Sequence, residues 1–218
     1  MNKIISFPHL SNYYIPIKYL IEKTTKCKTI ISPPNNKETI SLGSRYSPDA
    51  ICMPFKYNLG NYINALDSGA TILIQAGGGC RYGYFAELQE SILKDLGYNF
   101  TFVNLIKNNH ISLTKMYKFA KKLNPKLNII TYIYYLIQSV LIIIYMDKLD
   151  KYLRKNMGYA KDPSLFETLE KKMHFAYLEQ KLSIYKIIKI YHKLFRLGTS
   201  RLANLLLSDI KGEDIKFF

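Results

Sequence analysis

The stretch Ile72–Gly97, ILIQAGGGCRYGYFAELQESILKDLG, contains the pattern that decides the fold. A short β-rich apolar run, Thr71–Gln75, leads into a turn that holds three glycines and a cysteine. Tyr84–Leu96 then has apolar residues at helical spacing, and Gly97 stands where a helix would end. We therefore predict a strand, a glycine-rich turn and a helix start in direct succession, as in the βα units of α/β proteins.

The glycine-rich turn is a candidate site for an anion or a thiolate. The backbone N–H groups of Gly77, Gly78 and Gly79 point into such a turn, and the helix N-terminus adds a positive partial charge. The group placed there is the thiol of Cys80, and this field stabilises the thiolate, which binds metals or attacks electrophiles. The alternative is a tight βα turn with a half-buried, inert cysteine.

Two phosphate-binding motifs fit this turn incompletely. The dinucleotide fingerprint G-x-G-x-x-G needs a glycine where Tyr82 stands, and Gly83 comes one residue late. A P-loop needs lysine and a hydroxyl residue where the chain has Tyr84 and Phe85. The lysine that grips the phosphate and the Mg²⁺ ligand of a P-loop are therefore missing. An iron–sulfur ligand site and a metal-free site for a phosphate-bearing ligand such as CoA both stay open.

Outward from this unit, residues 1–106 alternate between strand and helix patterns. Strands are predicted at Lys3–Phe7, Thr29–Ser32, Thr71–Gln75 and Asn99–Val103. Helices are predicted at Tyr13–Lys23, Lys37–Leu42 (closed by Gly43), Tyr57–Leu66 and Tyr84–Leu96, with Arg45–Pro54 irregular. Asn35, three residues before Glu38, is the predicted N-cap of the second helix. This order predicts an α/β fold, a Rossmann-like parallel sheet of about four strands with helices on both faces.

Ligands of such sheets bind beyond the carboxyl ends of the strands. His9, Asn35 and Cys80 follow the first three predicted strands, so we expect all three at this edge. Cys52 lies in a loop that precedes a helix, and the same edge is a possible place for it. No Ser-His-Asp or Cys-His pair can be assigned from the sequence.

Residues 107–218 change to a helical pattern, which predicts an α-helical bundle region. The predicted helices are Ser112–Leu123, Leu127–Asn156, a periodic stretch over residues 162–197, and Ser200–Ser208. Asp214–Phe218 begins like another strand. We interpret the region either as an insertion into a longer α/β protein or as the end of a truncated chain.

The segment Ile129–Met146 contains 18 residues without a charged side chain, which is the minimum length of a membrane span. Thr131, Gln138 and Ser139 interrupt it, and lysines flank both ends, so the positive-inside rule gives no orientation. The helix also continues as the charged segment Asp147–Lys155. We expect a buried bundle helix rather than a membrane span.

Composition narrows the class of protein and its partners. The chain has 218 residues, of which 48% are hydrophobic, enough for a sizeable core. There are 31 Lys and Arg against 16 Asp and Glu, a formal net charge of +15, which raises nucleic acid, acidic lipid, CoA or nucleotide as partners. The basic residues are interleaved with apolar ones and no zinc-finger, RRM or KH motif is present, so we expect no nucleic-acid partner.

The cysteine count indicates the cellular compartment. Cys27, Cys52 and Cys80 form an odd set without short spacings, which argues against a disulfide framework. The N-terminal residues lack the apolar region and cleavage site of a signal peptide. We therefore expect a reducing, cytoplasmic setting.

Two segments resemble a known family. SPPNNKETISLGSRYSPDAICMPFKYNLGNYINAL (residues 32–66) and LIQAGGGCRYGYFAELQESILKDLGY (residues 73–98) are similar to the acyl-CoA dehydratase activase-related proteins. These are relatives of the 2-hydroxyacyl-CoA dehydratase subunits, and the likeness covers most of residues 3–105. The resemblance implies an iron–sulfur protein in an acyl-CoA dehydratase-like system that carries out ATP-driven, low-potential electron transfer. Whether this chain is itself an enzyme is left open.

The resemblance also implies the site residues. The cysteine of a C-x-P-x-K motif falls on Cys52, with Lys56 beside it, and the cysteine of G-G-G-C-R-Y-G falls on Cys80. These two cysteines would be the metal ligands, while Lys56, Arg81 and the three glycines of the turn would bind the cofactor.

A [4Fe–4S] cluster normally takes four cysteines. The expectation is therefore a cluster shared with a second copy, with a partner subunit or with a missing half of the chain. The resemblance implies an ATP-dependent activase-type protein as a further partner. That partner carries sugar-kinase-like phosphate motifs, which this chain lacks, so we expect no ATPase activity from this chain on its own. Because members of the family are longer, an inactive truncated copy is an alternative.

Overall fold

The computed structural model describes residues 3–75, 85–107, 110–157 and 171. Its strands are β1 (Ile4–Phe7), β2 (Lys28–Ile31), β3 (Ile72–Gln75), β4 (Thr101–Asn104), β5 (Ile106–Lys107) and β6 (His110–Ile111). Its helices are α1 (Tyr14–Thr25), α2 (Lys37–Tyr46), α3 (Met53–Asp67), α4 (Phe85–Asp95), α5 (Leu113–Leu123) and α6 (Ile129–Met157), with a 3₁₀ turn at Ser11–Tyr13. The predicted helices beyond residue 161 and the predicted strand Asp214–Phe218 lie outside the described residues.

The first four strands form one parallel sheet in the order β2-β1-β3-β4, which confirms the predicted α/β fold with a parallel sheet. All four residues of β3 are buried. Because successive side chains of a strand point to opposite faces, both faces of β3 are covered. The core on one face joins β3 to α3 and α4 through Leu73, Phe55 and Leu93.

Helices α2 and α3 approach each other at two glycines. A Cβ atom on Gly43 would lie 1.7 Å from the carbonyl oxygen of Lys56, and one on Gly60 would lie 2.1 Å from the carbonyl oxygen of Thr39. The prediction that Gly43 closes α2 was wrong, since α2 continues to Tyr46. Gly43 occupies its position because only a residue without a side chain admits the neighbouring backbone.

Two predicted helix starts were also shifted. The N-cap of α2 is Asn36, whose Oδ1 accepts a hydrogen bond from the backbone N–H of Thr39 at 2.8 Å, and not Asn35. Helix α3 starts at Met53, four residues before the predicted start, because Pro54 lies in its first turn and has the φ angle of a helix. The segment Arg45–Pro54 is therefore partly helical at both ends.

Contacts divide the chain into two units, Met1–Tyr14 with Leu20–Tyr135, and Ile15–Tyr19 with Leu136–Phe218. The predicted boundary after residue 106 stays a prediction. The short antiparallel pair β5–β6 was not predicted, since two-residue strands have no periodicity to detect. In the second unit, Ser139 Oγ donates to the carbonyl oxygen of Pro16 at 3.0 Å, and Tyr19 Oη donates to Gln138 Oε1 at 3.1 Å.

Among the described residues, α6 is the one helix long and apolar enough, by length and composition alone, to cross a membrane. Only 22% of its most apolar window is buried. A core helix of a soluble protein passes the same test of length and composition, so the finding is weak evidence for a span. The expected burial of Ile129–Met146 is met on one side of the helix only.

Candidate functional site at the carboxyl edge of the sheet

Polar residues end or follow each of the four parallel strands. They are His9 after β1, Ser32 after β2, Gln75 at the end of β3 and Asn104 at the end of β4. Since the strands are parallel, their carboxyl ends meet at one edge, where α/β proteins bind ligands. Of these residues, the sequence analysis had identified only His9.

A hydrogen-bonded network joins the ends of β1 and β2 to α3. The backbone N–H of His9 donates to Asn61 Oδ1 at 2.7 Å, and Ser32 Oγ donates to the carbonyl oxygen of Asn61 at 2.9 Å. Asn61 Nδ2 donates to Asn35 Oδ1 at 2.9 Å and to the carbonyl oxygen of Tyr57 at 3.0 Å. Asn61 is 1% exposed, and its amide oxygen and nitrogen are both bonded. This network ties the carboxyl ends of β1 and β2 to α3 through one buried side chain whose polar atoms are both hydrogen-bonded.

The imidazole of His9 has a defined orientation. Its Nδ1 lies 3.0 Å from the carbonyl oxygen of Ser32, which can only accept, so Nδ1 carries a proton. In the neutral ring Nε2 is then the acceptor. The ring also lies 5.3 Å from the ring of Tyr14, and burial raises the pKa of that phenol, which keeps it neutral. His9 is thus an oriented acceptor at the predicted edge.

Cys52 is the N-cap residue of α3 and is exposed. Only four residues separate the end of α3 from β3, so α3 runs back along the sheet and its N-terminus points towards the carboxyl edge. The bond between Asn61 and His9 fixes that direction. The Cys52 side chain makes no capping hydrogen bond to the described backbone of α3, and it lies at the positive end of the helix dipole.

Lys56 lies in the first turn of α3, close to Cys52. Its Nζ donates to the carbonyl oxygen of Asp49 at 3.4 Å, at the surface. The side chain is accessible to a phosphate or to a charged cluster. Gly77, Gly78, Gly79, Cys80 and Arg81 lie outside the described residues, so their predicted roles stay predictions.

The two ends of the glycine-rich loop are placed even though the loop itself is outside the described residues. It leaves the sheet after Gln75, which is buried and accepts a hydrogen bond from Tyr62 Oη at 2.5 Å. It re-enters the described chain at Phe85, whose ring packs edge-on against Phe55 at a centroid distance of 5.2 Å. Because Phe55 is three residues from Cys52, the loop that carries Cys80 ends beside the start of α3.

A buried acceptor without a partner in the described part of the chain lies on α4, four residues after Phe85. Gln89 on α4 is fully buried, and its Nε2 donates to the carbonyl oxygen of Phe55 at 3.4 Å. Its Oε1 has no hydrogen-bond partner among the described residues. An orphan amide oxygen accepts a hydrogen bond from an N–H or O–H donor. It is not the thiolate ligand that the iron of an iron–sulfur cluster takes.

Within residues 3–75, 85–107 and 110–157 there is no group of three or more His, Cys, Asp or Glu that could hold a metal. Cys27 precedes β2 and so lies at the opposite, amino edge of the sheet, where its Sγ is 3.6 Å from the carbonyl oxygen of Thr25. The described residues therefore supply one exposed thiol at the carboxyl edge, that of Cys52.

Residues 32, 75 and 104 could have been identified from the sequence, since each is a polar residue at the end of an apolar strand pattern. Asn61 gave no such signal, because it is one of three asparagines in Asn58–Asn64. Gln89 likewise could not be identified from the sequence, because it is one polar residue among several in a helical pattern. Their burial is a property of the packed fold.

Comparison of the chain with family models, with curated proteins and with solved structures gave no significant match. The family resemblance is therefore carried by the two quoted segments alone.

Proposed function

We propose that this chain binds an iron–sulfur cluster through Cys52 and Cys80 and serves as a redox component of an acyl-CoA dehydratase-like system. The observation that carries the proposal is the exposed thiol of Cys52 at the N-terminus of α3, beside the point where the glycine-rich loop ends. When bound, such a cluster supplies one-electron transfer at low potential.

The described end of the glycine-rich loop, at Phe85, supports a site that Cys52 and Cys80 share. Cys80 is five residues from Phe85, so the chain places it within about 18 Å of that residue even when fully extended. Phe85 contacts Phe55 in the first turn of α3, three residues after Cys52. This upper limit on the distance is compatible with a shared site, which is why we propose one.

Two thiolates do not complete a [4Fe–4S] cluster, which takes four. Cys27 is excluded by its place at the amino edge, since even a four-residue strand separates the two edges by about 13 Å. The remaining ligands would come from a second copy or a partner subunit. The protein is expected to hold its cluster as a dimer or a complex.

The test is anaerobic purification and reconstitution with iron and sulfide, with iron, acid-labile sulfide and native mass measured on the same sample. The wild-type chain should be brown and larger than a monomer, with an EPR signal after reduction. Cys52→Ser and Cys80→Ser should each lose most of the iron. Cys27→Ser is the matched control and should keep it, because its thiol lies away from the site.

Colourless wild-type protein after reconstitution would overturn the proposal. Iron content that is unchanged in Cys52→Ser would overturn the assignment of Cys52. A monomer that holds a complete cubane would overturn the shared-ligand model.

A second candidate function is a metal-free site for a phosphate-bearing ligand such as CoA. It is favoured by the accessible Lys56 at a carboxyl edge, with the glycine-rich turn following β3 and a net charge of +15. Calorimetric titration with CoA separates the two. Binding that survives Cys80→Ser and weakens in Lys56→Gln, in protein without iron, favours this second function.

A further inference from the structure

Helix α6 has two faces that are both apolar but differ in burial. One face carries residues that are exposed, at 54% for Ile137, 45% for Val140 and 40% for Ile144. The opposite face is buried at Ser139, Ile142 and Met146. Residues three or four positions apart lie on the same side of a helix, so the exposed set forms a continuous stripe. This exposed stripe continues towards the start of α6 at Ile130, Ile133 and Tyr134.

Beyond Ile144 the residues of the stripe are lysines. Lys148, Lys151 and Lys155 follow Ile144 at intervals of three or four residues, and all three are exposed. Lys148 also lies over the ring of Tyr145, with Nζ 5.6 Å from the ring centroid. The nearby Asp150 is paired with Arg154 at 2.6 Å, so it does not offset this charge fully. The stripe therefore changes from apolar to basic along one line of the helix.

The hydrogen bonds of the opposite face favour a helix that lies on a membrane over one that crosses it. Length alone does not separate the two, because the uncharged segment Ile129–Met146 rises about 27 Å, close to the roughly 30 Å of a bilayer's hydrocarbon core. The opposite face is already bonded through Ser139 to the carbonyl oxygen of Pro16 and through Gln138 to Tyr19. A spanning helix would expose those groups to lipid.

Charge decides between the possible occupants of this stripe. A second copy of the chain carries a net charge of +15, and the chain's own residues 158–218 contain more Lys and Arg than Asp and Glu. Either would bring positive charge to the three lysines. A membrane with anionic headgroups brings the opposite charge, and tyrosines such as Tyr134 favour the interface.

We propose that α6 docks this chain on the surface of an anionic membrane. The apolar part of the stripe enters the boundary between headgroups and acyl chains, and Lys148, Lys151 and Lys155 bind lipid phosphates. This surface is separate from Cys52 and Lys56, and docking holds whether or not the chain binds a cluster.

The test is flotation of the full-length chain with vesicles of phosphatidylcholine alone and of phosphatidylcholine with phosphatidylglycerol. We expect binding to the anionic vesicles that weakens as salt rises. The triple variant Lys148→Gln, Lys151→Gln, Lys155→Gln should lower affinity on the order of a hundredfold. The matched control Lys3→Gln, Lys28→Gln, Lys37→Gln changes three exposed lysines on other elements and should retain most of the binding.

A second variant tests the apolar contact. Ile137→Gln, Val140→Gln, Ile144→Gln should abolish flotation while circular dichroism stays unchanged, and Ile111→Gln with Leu113→Gln, two exposed residues elsewhere, should not. Should the apolar variant fail to fold, the lysine variant decides alone, because its three side chains are exposed.

Three outcomes would overturn the proposal. The first is no binding of the wild type to anionic vesicles. The second is a dimer that the apolar variant dissociates, without vesicle binding, which identifies a second copy as the occupant. The third is equal binding to both vesicle types that resists high salt and alkaline extraction, which identifies a membrane span.

Discussion

Helices α3 and α6 are the two longest helices among the described residues, at 15 and 29 residues. Both are rich in apolar residues, yet eight residues of α3 are buried, whereas α6 is buried along one side only. In α3, Gly60 admits the backbone of Thr39. Asn61 and Tyr62 form hydrogen bonds with His9 and Gln75 at the ends of the strands. The apolar part of α6 has neither glycine nor charge, and nothing in its composition tells the two faces apart.

The comparison teaches that apolar content does not by itself determine burial. Small and polar residues at single positions decide how closely a helix can be enclosed, because backbone contact and hydrogen bonds depend on shape. Substitutions at matched positions of α3 and α6 test this dependence.

The largest effect is expected at the contact of α2 with α3. Gly60→Ala places a Cβ 2.1 Å from the carbonyl oxygen of Thr39, and backbone cannot yield as a side chain does. Although alanine favours helices by about 1 kcal/mol over glycine, we expect a net loss of about 4 kcal/mol or more in the free energy of unfolding. Urea unfolding measures it.

Gly97→Ala is the control for this substitution. Its Cβ would meet no described atom within 4 Å, and its cost arises from a φ of +85°. We expect about 1–2 kcal/mol. Equal losses of unfolding free energy in the two variants would show that the close approach of α2 to α3 at Gly60 does not stabilise the fold.

The two sides of α6 should respond differently to the same substitution. Ile142→Ala, at a residue only 6% exposed, should lower the free energy of unfolding by about 2–4 kcal/mol. Ile144→Ala, two positions along and 40% exposed, should change it by less than about 1 kcal/mol. Thermal or urea unfolding of both variants measures the two losses of unfolding free energy. Losses of similar size would contradict a one-sided burial of α6.

Two asparagines of α3 form another matched pair. Asn61→Ala leaves the N–H of His9 and the Oδ1 of Asn35 without their partner, so we expect a loss of about 2–3 kcal/mol. Asn64→Ala, at a half-buried position of the same helix, should lie within about 0.5 kcal/mol of the wild type. The His9 imidazole resonances should shift in the Asn61 variant alone. Unshifted resonances would contradict the network.

The smallest change in stability is expected at high pH, where Tyr98 contacts Asp67 at the end of α3. Burial, followed by the hydrogen bond that Tyr98 donates to Asp67 and by the charge of that carboxylate, raises the pKa of Tyr98 to about 12. The unfolded phenol titrates near 10. Since the folded pKa is the higher one, the stabilising effect is full below pH 10 and is lost as pH rises towards 12.

Tyr98→Phe should therefore lose less stability than the wild type between pH 10 and 12. Unfolding at several alkaline pH values measures this difference, with tyrosinate absorbance as a second readout. Parallel losses in the two proteins would show that Tyr98 does not contribute.

The order of strands and helices was determined by the sequence alone. Short runs of four or five residues rich in β-branched and aromatic side chains predicted all four strands of the parallel sheet, because such side chains pack well on a pleated surface. The same pattern placed His9 at the carboxyl edge. Helix ends were less accurate, as Asn36 and Met53 show, since competing caps lie one to four residues apart.

Only the tertiary structure decided which residues of these elements meet. Asn61 holds the carboxyl edge and Gly43 admits a neighbouring helix, although the sequence shows one as an ordinary helical asparagine and the other as a helix end. The exposed face of α6 was likewise not predicted from the segment Ile129–Met146, because apolar residues lie on all sides of that helix. Periodicity records which residues avoid water in one element, whereas close approach and burial depend on the surfaces that other elements present.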